Sequence, residues 1–269
     1  MRSVEEAVKV EASHFKTVTF GDFQIACASR SDLVSLALTD CNNERPQPRL
    51  VFDANGHALS LARTNALYAT LVAQADLIHA DGGFLVTLSR WLGLNAIPER
   101  SATTDMLHDF SQAFEGTPYS FYLLGSDEQV NSKCSDVLQR AYPTLNLAGR
   151  RNGFFASDEE EQIVSDINQS GADILWVGLG KPKEQEFCIR WRASLKVRWI
   201  ITCGGCYNYV TGDYPRAPQW MQDWNVEWVH RLCTRPRALF MRYFITTPHA
   251  LWIALTSHSR RDQKHLDTQ

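Results

Sequence analysis

Nowhere in the 269 residues do two aspartates stand one residue apart, and no Gly-x-Gly-x-x-Gly opens a helix behind a strand. The first absence removes the Asp-x-Asp pattern that holds a divalent cation on a nucleotide diphosphate. Hard oxygen ligands do not cluster elsewhere, so no metal is expected. The second absence removes the dinucleotide fingerprint, and with it a Rossmann oxidoreductase; no cofactor is expected. No run approaches the roughly 18 consecutive apolar residues of a membrane-spanning helix. The opening residues carry acids where a signal peptide has its apolar core, so a cytoplasmic location is expected. No linker or repeat divides the chain. With 27 basic and 30 acidic residues the net charge is −3, which gives no global attraction to nucleic acid. The seven cysteines are odd in number and scattered in apolar runs, as reduced core thiols are. Cys203 and Cys206 have redox or zinc spacing but lack the second pair that a structural zinc site needs.

What is present is an alternation of short apolar runs with helix-like segments, the pattern of βα units around a mostly parallel sheet. The expected strands are Arg49–Phe52, Leu77–His79, Ser120–Leu124, Leu145–Ala148, Asp173–Val177 and Arg198–Thr202. A hairpin is expected where Thr17–Phe20 and Phe23–Cys27 flank Gly21-Asp22. Ser31, Ser126 and Ser157 are placed to cap helices, the last with Glu160 at the capping-box offset. Residues 1–15 are expected to be disordered, 16–225 to form the α/β domain, 226–258 a helical appendage and 259–269 a tail.

Ligands of an open α/β sheet sit beyond the carboxyl ends of its strands. Asp53-Ala54-Asn55, Gly125-Ser126, Gly178-Leu179-Gly180 and Gly204-Gly205 lie there. Glycine loops that feed helix N-termini suit a phosphate, although glycine behind a buried strand is also plain turn chemistry. Their convergence on one edge points to a nucleotide diphosphate. Gly180-Lys181 is similar to a P-loop ending, but Pro182 follows where Ser or Thr should stand, which disfavours ATP hydrolysis. Lys181, Lys183 and Arg216 are the basic side chains available for leaving-group charge.

Asp81 ends a short apolar run in Asp-Gly-Gly. At that position a carboxylate can cap the following helix or take a proton from an attacking hydroxyl, and the residues alone leave both readings open. From Val229 to Arg261 there is no acidic residue, while arginines alternate with Phe240, Tyr243, Phe244 and Trp252. Such a segment suits core helices with snorkelling arginines or an element docked on a membrane surface; it carries no nucleic-acid motif.

Gly204-Gly205, Gly212, Arg216-Ala217-Pro218, Trp220, Glu227-Trp228, Arg231-Leu232, Pro236-Arg237 and Arg242-Tyr243 follow one another in an order and spacing that resembles the WecG/TagA/CpsF glycosyltransferases (family 26). Asn55, Asp76-Leu77, Asp81-Gly82, Pro98-Glu99-Arg100 and Asp105 extend the resemblance over about residues 50–245. It implies a Rossmann-like α/β enzyme with a helical, membrane-docking C-terminal appendage, peripheral on the inner face of the cell membrane. The implied reaction moves a sugar, with inversion, from a UDP-sugar to a polyprenyl-pyrophosphate saccharide in surface or exopolysaccharide synthesis. Asp81 is then the general base, and Asn55, Gly125, Ser126, Gly178, Gly180, Gln185, Gly204, Gly205 and Asn208 hold the donor. Arg216, Arg231, Arg235 and Arg237 face the acceptor pyrophosphate. The chain departs from the family at Asp53, where Thr is common, at Thr103, where glycine is, and at Tyr207-Asn208, where Phe-Asp is. The family's Gln-Glu pair aligns with either Glu184-Gln185 or Gln185-Glu186. These departures leave room for another reading, a catalytically silent nucleotide-sugar-binding subunit of a membrane-associated assembly.

Overall fold

The computed structural model describes residues 15–218, 220, 221, 229, 230 and 246–266. A six-stranded parallel sheet of order β4-β3-β8-β7-β5-β6 organises the chain. Its strands are β3 (Arg49–Ala54), β4 (Leu77–Ala80), β5 (Ser120–Gly125), β6 (Asn146–Arg151), β7 (Ile174–Gly178) and β8 (Trp199–Thr202). A separate hairpin, as expected, joins β1 (Thr17–Phe20) to β2 (Phe23–Ala26), with Phe20 facing Phe23. Every residue of β3, β5, β7 and β8 is buried. Parallel strands covered on both faces need continuous apolar runs rather than alternation, which is why the short runs in the sequence mark them.

The helices are α1 (Arg30–Asn42), α2 (Gly56–Thr64), α3 (Ala66–Val72), α4 (Gly83–Trp91), α5 (Thr103–Phe114), α6 (Glu128–Ala141), α7 (Glu160–Ser170), α8 (Lys183–Trp191), α9 (Cys206–Val210) and α10 (Thr247–Leu266) among the described residues. Three expected caps are displaced. Helix α1 starts at Arg30, so Ser31 lies in its first turn. Asp127, not Ser126, caps α6, its carboxylate accepting the Val130 N–H at 2.8 Å. Ser157 opens a 3₁₀ turn in which Glu159, not Glu160, accepts the Ala156 N–H at 2.8 Å. Glu160 is buried instead and takes Trp191 Nε1 at 2.7 Å and Arg190 Nη1 at 2.8 Å. Strand β6 starts one residue later than expected and runs on to Arg151, because its ladder to β5 continues past an irregularity at Phe121/Tyr122.

The chain divides into two compact units. One comprises residues 1–29, 54–100 and 217–269, the other residues 30–53 and 101–216. In the first, α10 lies against α2: Ser60 Oγ and His249 Nδ1 are 2.9 Å apart. Gly21, at φ +60°, turns the hairpin where a Cβ would meet Ile253 at 2.8 Å. In the second, Phe110, Phe114, Phe121, Trp176 and Trp199 form an aromatic core, with Phe110 edge-on to Trp176 at 5.5 Å and Phe114 5.3 Å from Phe121. Each such ring contributes on the order of 2–3 kcal/mol by burial. Helix α10 runs on through residue 259, where a tail was expected to begin, and among the described residues no helix is long and apolar enough to cross a membrane. The expected disorder of residues 1–15 falls almost wholly outside the described residues, as do Arg231, Arg235 and Arg237.

Candidate active site

In the first unit the chemistry gathers at Asp81, which follows β4. Gly82, not Asp81, occupies the cap position of α4. The capping reading of Asp81 therefore falls. Gly82 N–H donates to Ala54 O at 3.0 Å, and a Cβ on Gly82 would stand 3.1 Å from Asn55 Cα. The glycine thus lets the two strand ends approach and brings Asp81 to Asn55, whose Nδ2 donates to Asp81 Oδ2 at 3.2 Å. Asn55 is itself fixed as the cap of α2, its Oδ1 accepting the Ala58 N–H at 3.0 Å. Arg100 Nε holds the Asp81 carbonyl at 3.0 Å. The result is a half-buried carboxylate with a fixed main chain and a neutral amide on one oxygen. That arrangement orients the carboxylate for proton transfer from an acceptor hydroxyl.

In the second unit the glycine loops line up on the carboxyl edge of β5, β7 and β8. A Cβ on Gly125 would sit 2.3 Å from Gly178 O, and one on Gly178 2.8 Å from Gly204 O. These glycines are required by the close approach of neighbouring strand ends. Ser126 follows at φ +56°, a left-handed backbone that costs a non-glycine residue roughly 1–2 kcal/mol. It is held there because its N–H donates to Gly178 O at 3.1 Å and its C=O accepts the Gly153 N–H at 2.7 Å. Its hydroxyl donates to Asn208 Oδ1 at 3.3 Å, so the donor candidates Ser126 and Asn208 are in contact.

Glu184 ties this edge together, a role the sequence did not disclose. It is fully buried, and its Oε2 accepts the Gly180 N–H at 3.0 Å and the Gly204 N–H at 3.1 Å. Burial pushes its carboxyl above the usual carboxylate range, with Lys181 opposing and Asp53 reinforcing the shift. Gln185 is equally buried, its Nε2 on Glu184 Oε1 at 3.3 Å, whereas Glu186 is half-exposed. Lys181 Nζ donates to both oxygens of Asp53, at 2.6 and 2.7 Å, and stands 3.6 Å from Glu184 Oε1. Asp53, the departure from the family's threonine, is therefore the partner of Lys181.

These contacts correct two expectations. The Gly180 and Gly204 amides point at Glu184, so they do not form a ready phosphate cradle. Lys181, with three carboxylate oxygens around it, is not a cation in waiting. Gly205 caps the short helix α9, and nothing stands within 4 Å of where its Cβ would be. Arg216 Nη1 meets Asp105 Oδ1 at 2.6 Å, and Arg30 holds the other oxygen at 3.3 Å, so Arg216 is aimed by a carboxylate. Burial holds the Cys203 thiol well above its ordinary value, which suits a core thiol.

Two more residues of this edge went unread. Phe154 is 79% exposed, yet its loop is pinned: Gly153 is bonded to Ser126, and the Phe154 N–H donates to Asn152 Oδ1 at 3.1 Å. Phe155 turns inward toward Phe187, and the Lys183 ammonium lies 4.3 Å over its ring. A Phe-Phe pair behind a loop glycine was the signal available, since a turn rarely needs two phenyl rings. The sequence matches the model of the glycosyl transferase WecG/TagA/CpsF family over residues 18–264.

Proposed function

The chain belongs to the WecG/TagA/CpsF glycosyltransferase family, and from that premise we propose that it moves a sugar from a UDP-sugar to a polyprenyl-pyrophosphate-linked saccharide in the synthesis of a surface or exopolysaccharide. Asp81 takes the proton of the acceptor hydroxyl. The freed oxygen forms a bond to the anomeric carbon while the bond from that carbon to the diphosphate oxygen breaks, and the electron pair leaves with UDP, inverting the centre. The observation that carries this reading is the state of Asp81: off the helix cap, bonded by Asn55 and held through its carbonyl by Arg100.

The donor belongs to the glycine edge. Ser126 and Asn208 supply polar contacts, and the exposed ring of Phe154 is a surface on which a planar base can stack. Gly125, Gly178, Gly180, Gly204, Gly205 and Gln185 shape that edge from behind. Arg216, Arg231, Arg235 and Arg237 meet the acceptor pyrophosphate. The basic, aromatic C-terminal segment docks on the membrane surface, as the outward Leu251, Trp252 and Leu255 of α10 favour.

The test is radiolabelled transfer from a panel of UDP-sugars to a short-chain polyprenyl-pyrophosphate saccharide in chelator, with wild type and Asp81→Asn side by side. One donor should give product, and the variant should lose about 10²–10⁴-fold in kcat while still binding UDP. Near-normal transfer by folded Asp81→Asn would sink the base assignment. Binding without transfer from any donor would favour the silent-subunit reading.

A further inference from the structure

We propose that Lys183, and not Lys181, is the cation that meets the donor's diphosphate, and that Asp53, Lys181 and Glu184 form an internal charge lattice that only positions the loops around it. The inference rests on the donor reading above and assigns its phosphate end.

Arg150 and Arg151, at the end of β6, are paired with Glu128 and Glu159, which leaves Lys181, Lys183 and Arg216 for the geometry to separate. Lys181 is spent: its side chain is 8% exposed, two bonds go to Asp53 and Glu184 lies on its remaining side. An ammonium has three protons, so no donor is left for a ligand. Arg216 is committed on one side to Asp105. Lys183 differs in kind. Among the described residues its Nζ donates to one acceptor, Gly153 O at 3.2 Å, and rests over the face of Phe155. Among the described residues no carboxylate forms an ion pair with it, and it is half-exposed.

Its location matters as much as its free protons. Gly153 is bonded to Ser126 and would place a Cβ 3.0 Å from Gly125 Cα, so Lys183 is one residue removed both from the Gly125-Ser126 turn and from the exposed Phe154. A planar base, a diphosphate and this spacing of ring, hydroxyl and ammonium match in chemistry. The ring also keeps the ammonium partly desolvated, which strengthens its pull on an oxyanion. The Gly180 and Gly204 amides, turned inward by Glu184, cannot share that task while the lattice holds. The negative charge therefore falls to a side chain.

The experiment compares calorimetric binding of UDP and of uridine by wild type, Lys183→Met, Lys183→Arg and Lys181→Met. Lys183→Met should weaken UDP by about tenfold or more while leaving uridine unchanged, and Lys183→Arg should restore much of the difference. Lys181→Met should lower the melting temperature but, where folded, keep the wild-type ratio of UDP to uridine affinity. A wild-type ratio in Lys183→Met, or a ratio that moves in Lys181→Met instead, overturns the assignment. Wild type that binds neither ligand overturns the donor reading, and this assignment with it.

Discussion

Within the second unit, the two ends of the sheet bury charge in opposite ways. At the amino end, Asp40 meets a guanidinium: Arg49 Nε and Nη2 reach its two oxygens at 2.5 and 3.2 Å, and Trp199 Nε1 adds a bond at 2.7 Å. Asp173 is served likewise by Arg198 Nε at 3.1 Å and by the Ser120 N–H at 2.9 Å. At the carboxyl end, Glu184 meets peptide N–H groups of two loops, and its one cation is shared with Asp53. Burial tends to raise the Asp40 carboxyl, but Arg49 and Trp199 bring it below the usual range; Glu184 stays above it. The amino end spends its charges on a closed pair, whereas the carboxyl end uses a carboxylate to hold backbone in shape. The first arrangement serves stability and the second serves a site.

The largest effect should come from opening the closed pair. Arg49→Met leaves Asp40 buried with only Trp199 and the more distant Arg45, 3.7 Å away. Breaking a buried pair costs about 3–5 kcal/mol, and here the low end is expected because those partners remain. Denaturant unfolding should show that loss, while transfer per folded molecule stays at the wild-type level. A fall in transfer by the folded variant would erase the distinction between the two ends.

Much of this division can be traced to what the sequence does and does not encode. The buried strands were legible because each is built on a short apolar run, whereas β6 ends in Gly149-Arg150-Arg151 and was read only at its apolar start; the glycines behind the buried strands mark the carboxyl edge. The pairing of Asn55 with Asp81 was legible in part, since both stand directly behind such runs. Glu184 was not. Lys183-Glu184-Gln185-Glu186 reads as the polar first turn of an exposed helix, and only the placement of α8 against two loops buries its second residue. Asp53 and Lys181 are 128 positions apart, so nothing local joins them. Ser126 and Asp127 could each cap a helix, and the choice fell to Asp127 because Ser126 is held left-handed by contacts with Gly178 and Gly153.

The opposite shifts give the comparison a pH signature. Asp40, held low, contributes stability that is present above its ordinary value of 3.8 and is lost as pH falls through its depressed one. Glu184, held high, contributes stability that is fully present below its ordinary value of 4.5 and is lost as pH rises through its raised one. Unfolding free energies measured from pH 8 to pH 3 should therefore separate Asp40→Asn from Glu184→Gln. The first should flatten the acid limb below about pH 4, and the second should flatten the slope above about pH 4.5. A Glu184→Gln profile parallel to wild type throughout would mean that the carboxyl titrates as it does in the unfolded chain.

The smallest expected effect is the most local. Ser126→Gly removes the strain of a left-handed serine, and the folded state should gain about 1 kcal/mol, less a fraction for the freer unfolded chain. The same change deletes the hydroxyl that reaches Asn208 at 3.3 Å. At the amino end, relief of strain would be pure profit in stability. At the carboxyl end, a more stable protein that binds UDP several-fold more weakly is expected, because the turn is held in an unfavourable backbone for the sake of the hydroxyl it presents. If Ser126→Gly were stabilised and bound UDP as tightly as wild type, the strained turn would be packing alone, and the carboxyl edge would resemble the amino edge more closely than its loops suggest.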